Sequence, residues 1–486
     1  MLNNHTVYTA YDYKKILLAL LLSTSFAEKS IWDYSGYINY TYLESFSNGR
    51  LINIPYRMAS VKIENRENNI YLNTNIVVEY HHRDDSYFLS SSNPQDFIID
   101  LRELFLTYNK SNYELRLGKQ IYSWGSVDEN SPLDIVSGLD YYYLFFGGTE
   151  KKLASLSIAL DYYIKNIKMQ LVFSPLHSTN RIPLGNDDFP IKLPVYPNPK
   201  SIYPLFDKPY EIGLQSTLST DFGDISISYF SAYDRIFNLS GVNVYGRGAD
   251  ISFPFVDIVY GYRKTNVFGI GGVFLNDFFT FRYDIGYFKT RDQNSSIERT
   301  STFNPSYYDS LHFSYPLKEK SSYLQATLQI DTDLPFGINF SAQYFSHDTL
   351  DYSSGSLPVD QEINIPNLTI DPEDLTPSNF FNPGFGVPIA ILTNKAIFFT
   401  LTKNTIQNQF DIQLTSMLDI AEYHQIKGIA GSLFELKLTY ALKQNIQLVS
   451  AITEINGNKN HPDGLNYQFN SMENFSHLRF ELKYYF

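Results

Sequence analysis

The chain has 486 residues, a formal net charge of −13 and no cysteine, and 16% of it is aromatic, mostly Tyr and Phe. Lack of cysteine excludes disulfides and thiol chemistry, and the acidic balance excludes the electrostatic footprint of a nucleic-acid binder. Mean hydropathy is slightly negative, which excludes a bundle of membrane helices but not a barrel, where half of each strand can be polar.

Lys14 and Lys15 precede an apolar run from Ile16 to Leu22, followed by Ser23-Thr24-Ser25-Phe26-Ala27. A positive segment, a short apolar stretch and a small-residue site predict a signal peptide over 1–27, cleaved after Ala27. The run falls short of the roughly 20 apolar residues a membrane helix needs. Without 1–27, which carry Asp12, Lys14 and Lys15 (net +1), the charge becomes −14.

From Trp32 onward, very short and very long connections alternate. Short polar turns are predicted at Glu64–Asn69, Asn109–Asn112, Lys165–Asn166, Thr220–Asp224, Asn276–Asp277, Thr332–Gly337, Asn404–Asn408 and Lys443–Asn445. Each lies between stretches of alternating polarity, the mark of a hairpin. Segments such as Tyr122–Lys152, Pro175–Pro209, Arg291–Lys318 and Leu350–Pro388 form long loops between the hairpins. Tight turns at one end and long loops at the other are the layout of an outer-membrane barrel, with turns periplasmic and loops extracellular. With an opening strand near Trp32–Tyr42, this predicts an all-β, single-domain antiparallel transmembrane β-barrel over 28–486, of about 16–18 strands. Arg235–Lys264 reads either as one long loop or as a further strand pair.

The least generic stretch is Leu101–Asp140. Leu115 and Leu117 share one parity of their strand, while Arg116 and Gln120 share the other and are expected to face the lumen, with Glu103 on the neighbouring strand. Trp124-Gly125 is expected to mark the top of that strand, opening a loop that carries Asp128, Glu129, Asp134 and Asp140. The apolar run from Tyr141 to Phe146 predicts that this loop packs into the barrel mouth rather than standing in water. Gly118-Lys119-Gln120, Trp124-Gly125 and Ser131-Pro132-Leu133-Asp134 resemble the G-R-Q, W-G and N-P-x-D-like segment of a family of uncharacterised, porin-like outer-membrane barrels of proteobacteria. Lys119 stands where that family usually has Arg, and Ser131 where it has Asn. Phe281-Arg282-Tyr283-Asp284 resembles the family's Arg-x-Glu pair, with Asp for Glu. The resemblance covers about forty residues. It implies an outer-membrane channel and no particular solute.

Later strands show two faces clearly. Leu156, Ile158, Leu160 and Tyr162 alternate with Ser155, Ser157 and Asp161; Leu436, Leu438, Tyr440 and Leu442 alternate with Glu435, Lys437 and Thr439. The last eleven residues, S-H-L-R-F-E-L-K-Y-Y-F, put Leu478, Phe480, Leu482, Tyr484 and Phe486 on one face and Arg479, Glu481 and Lys483 on the other. A final strand ending in Phe resembles the insertion signal of Gram-negative outer-membrane proteins, here Leu482, Tyr484 and Phe486.

Motifs for hydrolases, zinc proteases and nucleotide binding are lacking, and with nine histidines and no cysteine no metal or cofactor is expected. The predicted function is an outer-membrane porin-like channel for passive passage of small solutes, with lumen and constriction candidates Glu103, Arg116, Gln120, Asp128, Asp134, Arg282 and Asp284. Expected partners are outer-membrane lipid, the barrel-assembly machinery and small solutes, with no nucleic acid. The alternative is a non-conducting barrel serving as adhesin, receptor or outer-membrane hydrolase.

Overall fold

The structure is a computed structural model that describes residues 32–81, 97–144, 149–183, 188–191, 202, 209–292, 297–355, 364–365, 368–369, 381–405, 409–423, 426, 428–462 and 464–486. The predicted cleavage site after Ala27 and the end of the Tyr141–Phe146 run lie outside them.

Eighteen strands form one sheet. The first six are β1 Trp32–Ser45, β2 Tyr56–Glu67, β3 Ile70–Tyr80, β4 Phe97–Lys110, β5 Tyr113–Gln120 and β6 Ser155–Ile164. Next come β7 Ile167–Ser174, β8 Glu211–Thr220, β9 Gly223–Tyr233, β10 Lys264–Leu275, β11 Thr280–Arg291 and β12 Lys320–Leu334. The last six are β13 Ile338–Ser353, β14 Lys395–Thr405, β15 Phe410–Asp419, β16 Gly431–Lys443, β17 Ile446–Gly457 and β18 His477–Tyr485. Each pairs antiparallel with the next, and β18 pairs back onto β1 from Tyr37↔Tyr485 to Ser45↔His477, closing the barrel. Closure leaves no sheet edge to be satisfied by water, which a wall in lipid requires. Phe486 extends the seam, exchanging backbone hydrogen bonds of 3.0 and 3.1 Å with Gly36.

Seven of the predicted turns join neighbouring barrel strands; the eighth, Asn404–Asn408, falls between β14 and β15 with 406–408 outside the described residues. Asn68, Ser111 and Lys165 take φ near +50° there, the left-handed geometry that lets a two-residue reversal follow the strand twist. The strand number falls at the top of the predicted range. Arg235–Lys264 carries a further hairpin, Asn238–Arg247 and Asp250–Gly261. It pairs with Ser310–Pro316 in a separate three-stranded sheet outside the barrel wall.

Side chains alternate as the sequence requires. In β6, Leu156, Ile158, Leu160 and Tyr162 are exposed on the outer wall, whereas Ser155, Ser157, Ala159 and Asp161 are buried inside. On β18 Phe480, Leu482, Tyr484 and Phe486 face outward and Arg479 is buried. A continuous apolar exterior of this extent has no place in water, and it defines a membrane-spanning wall. Trp32, Tyr163, Phe222, Phe278, Phe336 and Tyr485 ring the short-turn end, as aromatics do at a membrane interface.

The long-loop half of the barrel is filled by chain. Leu139, Tyr141, Phe189, Ile191, Val387, Ile389, Leu392, Phe469 and Met472 form one apolar cluster with Phe345, Met417, Leu433 and Ile455 of the wall. Tyr122, Trp124, Ile135, Val136, Phe381 and Phe385 form a second against Ala159, Val172, Phe230, Val267, Phe288 and Tyr323.

Candidate functional site

The chain leaving β5 turns inward. Strand β5 ends at Gln120, so Trp124-Gly125 lies within the inserted loop rather than at the top of the strand. The physical reason is burial: the Trp124 ring sits 6.0 Å from Phe230 and its Nε1 donates to Gln170 Oε1 at 2.5 Å. The next residues run along the inner faces of β11 to β13. Asp284 is fully buried and accepts from the backbone N–H groups of Ser126 (2.7 and 3.0 Å) and Val127 (3.0 Å). The Asp128 carboxylate pairs with Arg282 and accepts from Gln329 Nε2 at 2.8 Å, while its N–H donates to Gln329 Oε1 at 2.9 Å. Asn130 donates to Gln343 at 3.2 Å, and its carbonyl accepts from Thr327 at 2.6 Å. Charge-assisted hydrogen bonds to backbone N–H groups are among the stronger non-covalent tethers. The Arg-x-Asp pair of β11 therefore holds the loop tip across the lumen.

The wall makes room for it. A Cβ at Gly213 would lie 2.7 Å from Trp124 Cη2, and one at Gly269 would lie 2.4 Å from Leu133 Cδ2. These inward positions on β8 and β10 admit the loop because they carry no side chain. Gly118 has a different cause: at φ +136° its Cβ would lie 2.2 Å from the Leu104 carbonyl, so the backbone itself demands glycine.

The other predicted residues divide into loop anchors and wall. Asp134 pairs with Lys152 and accepts from Trp124 N at 3.1 Å, closing the loop on itself. Glu103 accepts from Ile121 N at 3.2 Å, where the chain leaves β5. Gln120 is buried and donates to the Ser157 carbonyl at 3.3 Å. Arg116 faces the lumen in a chain of contacts: Glu114 at 3.2 Å, Asp161 at 3.3 Å, and through Asp161 and Gln170 to Trp124.

Sequence reasoning missed three parts. One is a buried ionic cluster at the root of the loop. Asp140 meets Arg181 at 3.1 Å and Arg57 at 3.6 Å; Glu79 meets the same arginines at 2.7 and 3.7 Å; and Arg57 lies 3.9 Å from the centre of the Tyr143 ring. Burial outweighs the two arginines and pushes the Asp140 carboxyl up to about 6. The second is an inserted segment from Phe381 to Leu392, whose Val387 N–H donates to Gln325 Oε1 at 2.9 Å. Its apolar run from Val387 to Leu392 was the available signal. The third is the row of inward glycines, whose meaning depends on what lies across the lumen.

Two of the spaces beside these insertions adjoin each other. One, of about 340 Å³, lies between the loop tip (Asp128, Glu129, Asn130) and β13 to β16, with Gln343, Gln413, Glu435 and Lys437 on its wall. The other, of about 380 Å³, reaches the short-turn end past Asp331, Asp333 and Asn339. Both are lined by Ser341 and Thr400, so they adjoin along β13 and β14.

No family model and no curated protein matches the chain. Solved structures similar to it include OpdL of Pseudomonas aeruginosa, with TM-score 0.46 and 10% identity over 94% of this chain and 98% of that one. OccD3 (OpdP) of the same organism has TM-score 0.43 and 9% identity over 94% and 91%. A BenF-like porin from Pseudomonas fluorescens Pf-5 has TM-score 0.44 and 6% identity over 95% and 99%.

Proposed function

We propose that this chain is an outer-membrane channel that passes small solutes through a lumen narrowed by its own inserted loops. The observation that carries the reading is the pair of adjoining spaces along β13 and β14, which run from the loop tip to the short-turn end. Their walls mix polar and charged groups, including Asp128, Glu129, Gln413, Thr415, Glu435 and Lys437, as a hydrated route requires. Barrels of sixteen or more strands are wide enough for an aqueous path unless chain fills them. Here loops occupy the long-loop half, so the expected conductance is that of a narrow channel.

Asp128 and Arg282 stand at the edge of the route as constriction residues, whereas Asp134 and Asp284 act by positioning the loop. Residues 1–27 are removed on export, and the strand ending at Phe486 serves as the signal read by the barrel-assembly machinery. Planar-bilayer recording of the purified protein tests the reading. Discrete conductance steps support it. Their complete absence from correctly folded protein eliminates it in favour of a non-conducting scaffold.

A further inference from the structure

The sheet outside the barrel has two unlike faces. One is covered, mixing polar groups with buried Val259 and with Phe255 stacked on Phe303: Asn243 donates to the Ile297 carbonyl at 2.8 Å, Asp257 meets Arg299 at 2.7 Å, and Tyr245 donates to the Arg299 carbonyl at 2.5 Å. The other is apolar and bare. Val244 pairs with Val256 and with Phe313, and Val242 pairs with Ile258 and Tyr315, putting all six side chains on one face. Phe313 is 46% and Tyr315 55% exposed.

This face stands on the membrane wall. Asp250–Gly261 runs through Tyr262 and Arg263 directly into β10: Val256 and Ile258 share parity with Phe268 and Ile270, which are exposed on the outer wall, and buried Asp257 and Arg263 share parity with buried Thr265 and Val267, while Tyr260 between them turns in against Phe237, 5.6 Å between ring centres. Ser310–Pro316 runs into β12, with Lys318 at φ +52° between them. Between the sheet and the lipid belt lies a row of cations. Lys264, Arg291 and Lys320 are in register across β10, β11 and β12, with Lys289 one outward step below Arg291, pairing with Asn266 and Ser322. Lys289, Arg291 and Lys320 are exposed on the outward parity, and among the described residues no ion pair engages them. Lys264 packs 4.6 Å from the Tyr233 ring centre. Exposed Asp348 and Asp351 of β13 bound the row on one side. Below it the outer wall has an apolar groove of about 470 Å³ between Tyr229, Phe268, Ile270, Ile285 and Tyr287, open down to Gly269.

From these tiers we infer that the outer wall over β8 to β12 is a binding site for a phosphorylated glycolipid of the outer leaflet. An acyl chain fills the groove, whose apolar surface is continuous with the lipid belt. The phosphates meet Lys264, Lys289, Arg291 and Lys320, where basic side chains at an anionic surface are favourable. The sugar rings lie on the apolar sheet face, with Phe313 and Tyr315 offering flat surfaces of the kind that stack. A phospholipid would satisfy the first two tiers and leave the sheet bare.

Native mass spectrometry of the detergent-solubilised full chain tests this, using a bis-phosphorylated acylated glucosamine disaccharide, its dephosphorylated form, phosphatidylglycerol and inorganic phosphate as probes. One phosphorylated glycolipid should be retained in preference to the other three. The triple variant K289Q/R291Q/K320Q should weaken that retention by roughly a hundredfold, at about fivefold per basic residue. F313S/Y315S should lower retention of the glycolipid to that of phosphatidylglycerol. Heat-shifted electrophoretic mobility and unchanged conductance confirm that both variants remain folded, and they keep this outcome separate from the channel reading. Equal retention of the dephosphorylated lipid, or unaltered retention by the triple variant, overturns the site. Displacement by millimolar inorganic phosphate makes it a free-phosphate site. Equal retention of phosphatidylglycerol by the unmodified protein makes it a general anionic-lipid surface. A mass of two chains that is lost with F313S/Y315S makes the sheet a self-association face. Each of these three results also overturns the glycolipid assignment.

Discussion

The inner wall of the barrel has two sides built to opposite ends. On β8 to β12, glycines at 213, 269, 271 and 286 face inward, and the polar residues among them (Asp284, Thr327, Gln329) each hydrogen-bond the loop backbone. On β13 to β16, below the apolar cluster that packs Phe345, Met417 and Leu433 against the insertions, the inward positions include Gln343, Thr400, Gln413, Thr415, Glu435 and Lys437, and open space lies against them. One side is a socket and the other is a conduit. The contrast shows that the loop tip defines the passage by where its backbone is fastened: the wall that holds that backbone is withdrawn from the solute path, and the wall that meets the tip through the Asn130 side chain at Gln343 becomes the lining.

Removing the main fastening has the largest expected effect. Asp284→Ala orphans the Ser126 and Val127 N–H groups, at about 1–3 kcal/mol for each buried donor left unpaired. The loop tip should leave the socket, and single-channel conductance in planar bilayers should rise. A cysteine introduced at Ser126 should then become reachable by a water-soluble reagent. Unchanged conductance and labelling would mean that the apolar packing of Trp124 and Leu133 alone holds the loop.

The ionic root of the loop should respond to pH in a defined direction. Asp140 titrates at about 6 because burial outweighs the pull of Arg181 and Arg57. With a folded value raised from about 4, its contribution to stability is fully present below pH 4 and is lost as pH rises through 6, by about 3 kcal/mol at most. Glu79 and Glu150, which also face Arg57, share the site. Thermal midpoints in detergent should therefore fall between pH 4 and 7 in the native chain, and Asp140→Asn should flatten that slope.

Filling the socket is a milder perturbation. Gly269→Val puts methyl groups where Leu133 and the Ser228 hydroxyl already lie, since even a Cβ would approach both to 2.4 Å. Overpacking of this kind costs about 1–3 kcal/mol. The expected result is partial loosening, read as brief visits to a higher conductance level, with the barrel still resistant to unfolding. A matched change on the conduit side, Thr400→Val, should leave the loop in place and add no such level.

The wall was legible because lipid imposes a period. A strand with one face in hydrocarbon must alternate, so Leu156, Ile158 and Leu160 against Ser155, Ser157 and Asp161 could be read without coordinates. Turns were legible for a related reason: two-residue reversals need residues that tolerate positive φ, and Asn68 and Lys165 sit where polarity breaks. The site was only half legible. Asp128, Asp134, Arg282 and Asp284 stood out as charges in apolar company, yet period two says only that a residue faces inward, not what faces it. That Asp284 meets Ser126, 158 positions away, is a property of closure around the lumen. Gly213 and Gly269 carry the same limitation, since a glycine on a strand shows its purpose only once Trp124 and Leu133 are seen opposite. Arg57 and Glu79 face each other across the β2–β3 hairpin, but half-buried Arg181 and buried Asp140 come from two distant loops, and no local pattern joins them to that pair.

The smallest effect sharpens the comparison by charge rather than by shape. Among the described residues Lys437 has no ion pair, and it lies on the conduit wall; Lys151 in the same space pairs with Glu129 at 3.4 Å, and Glu435 with Arg479 at 3.3 Å. An unpaired unit charge about 6 Å from a permeating ion in water contributes ~0.7 kcal/mol against a cation and as much in favour of an anion, about a tenfold bias between the two. Lys437→Gln should shift the reversal potential in a salt gradient toward cations by that ratio. Arg116→Ala should shift it far less, because Arg116 lies on the socket's flank and its charge is met by Glu114 and Asp161. If Arg116→Ala moves the potential as much as Lys437→Gln, ions pass along both walls, and the division of the lumen into socket and conduit is wrong.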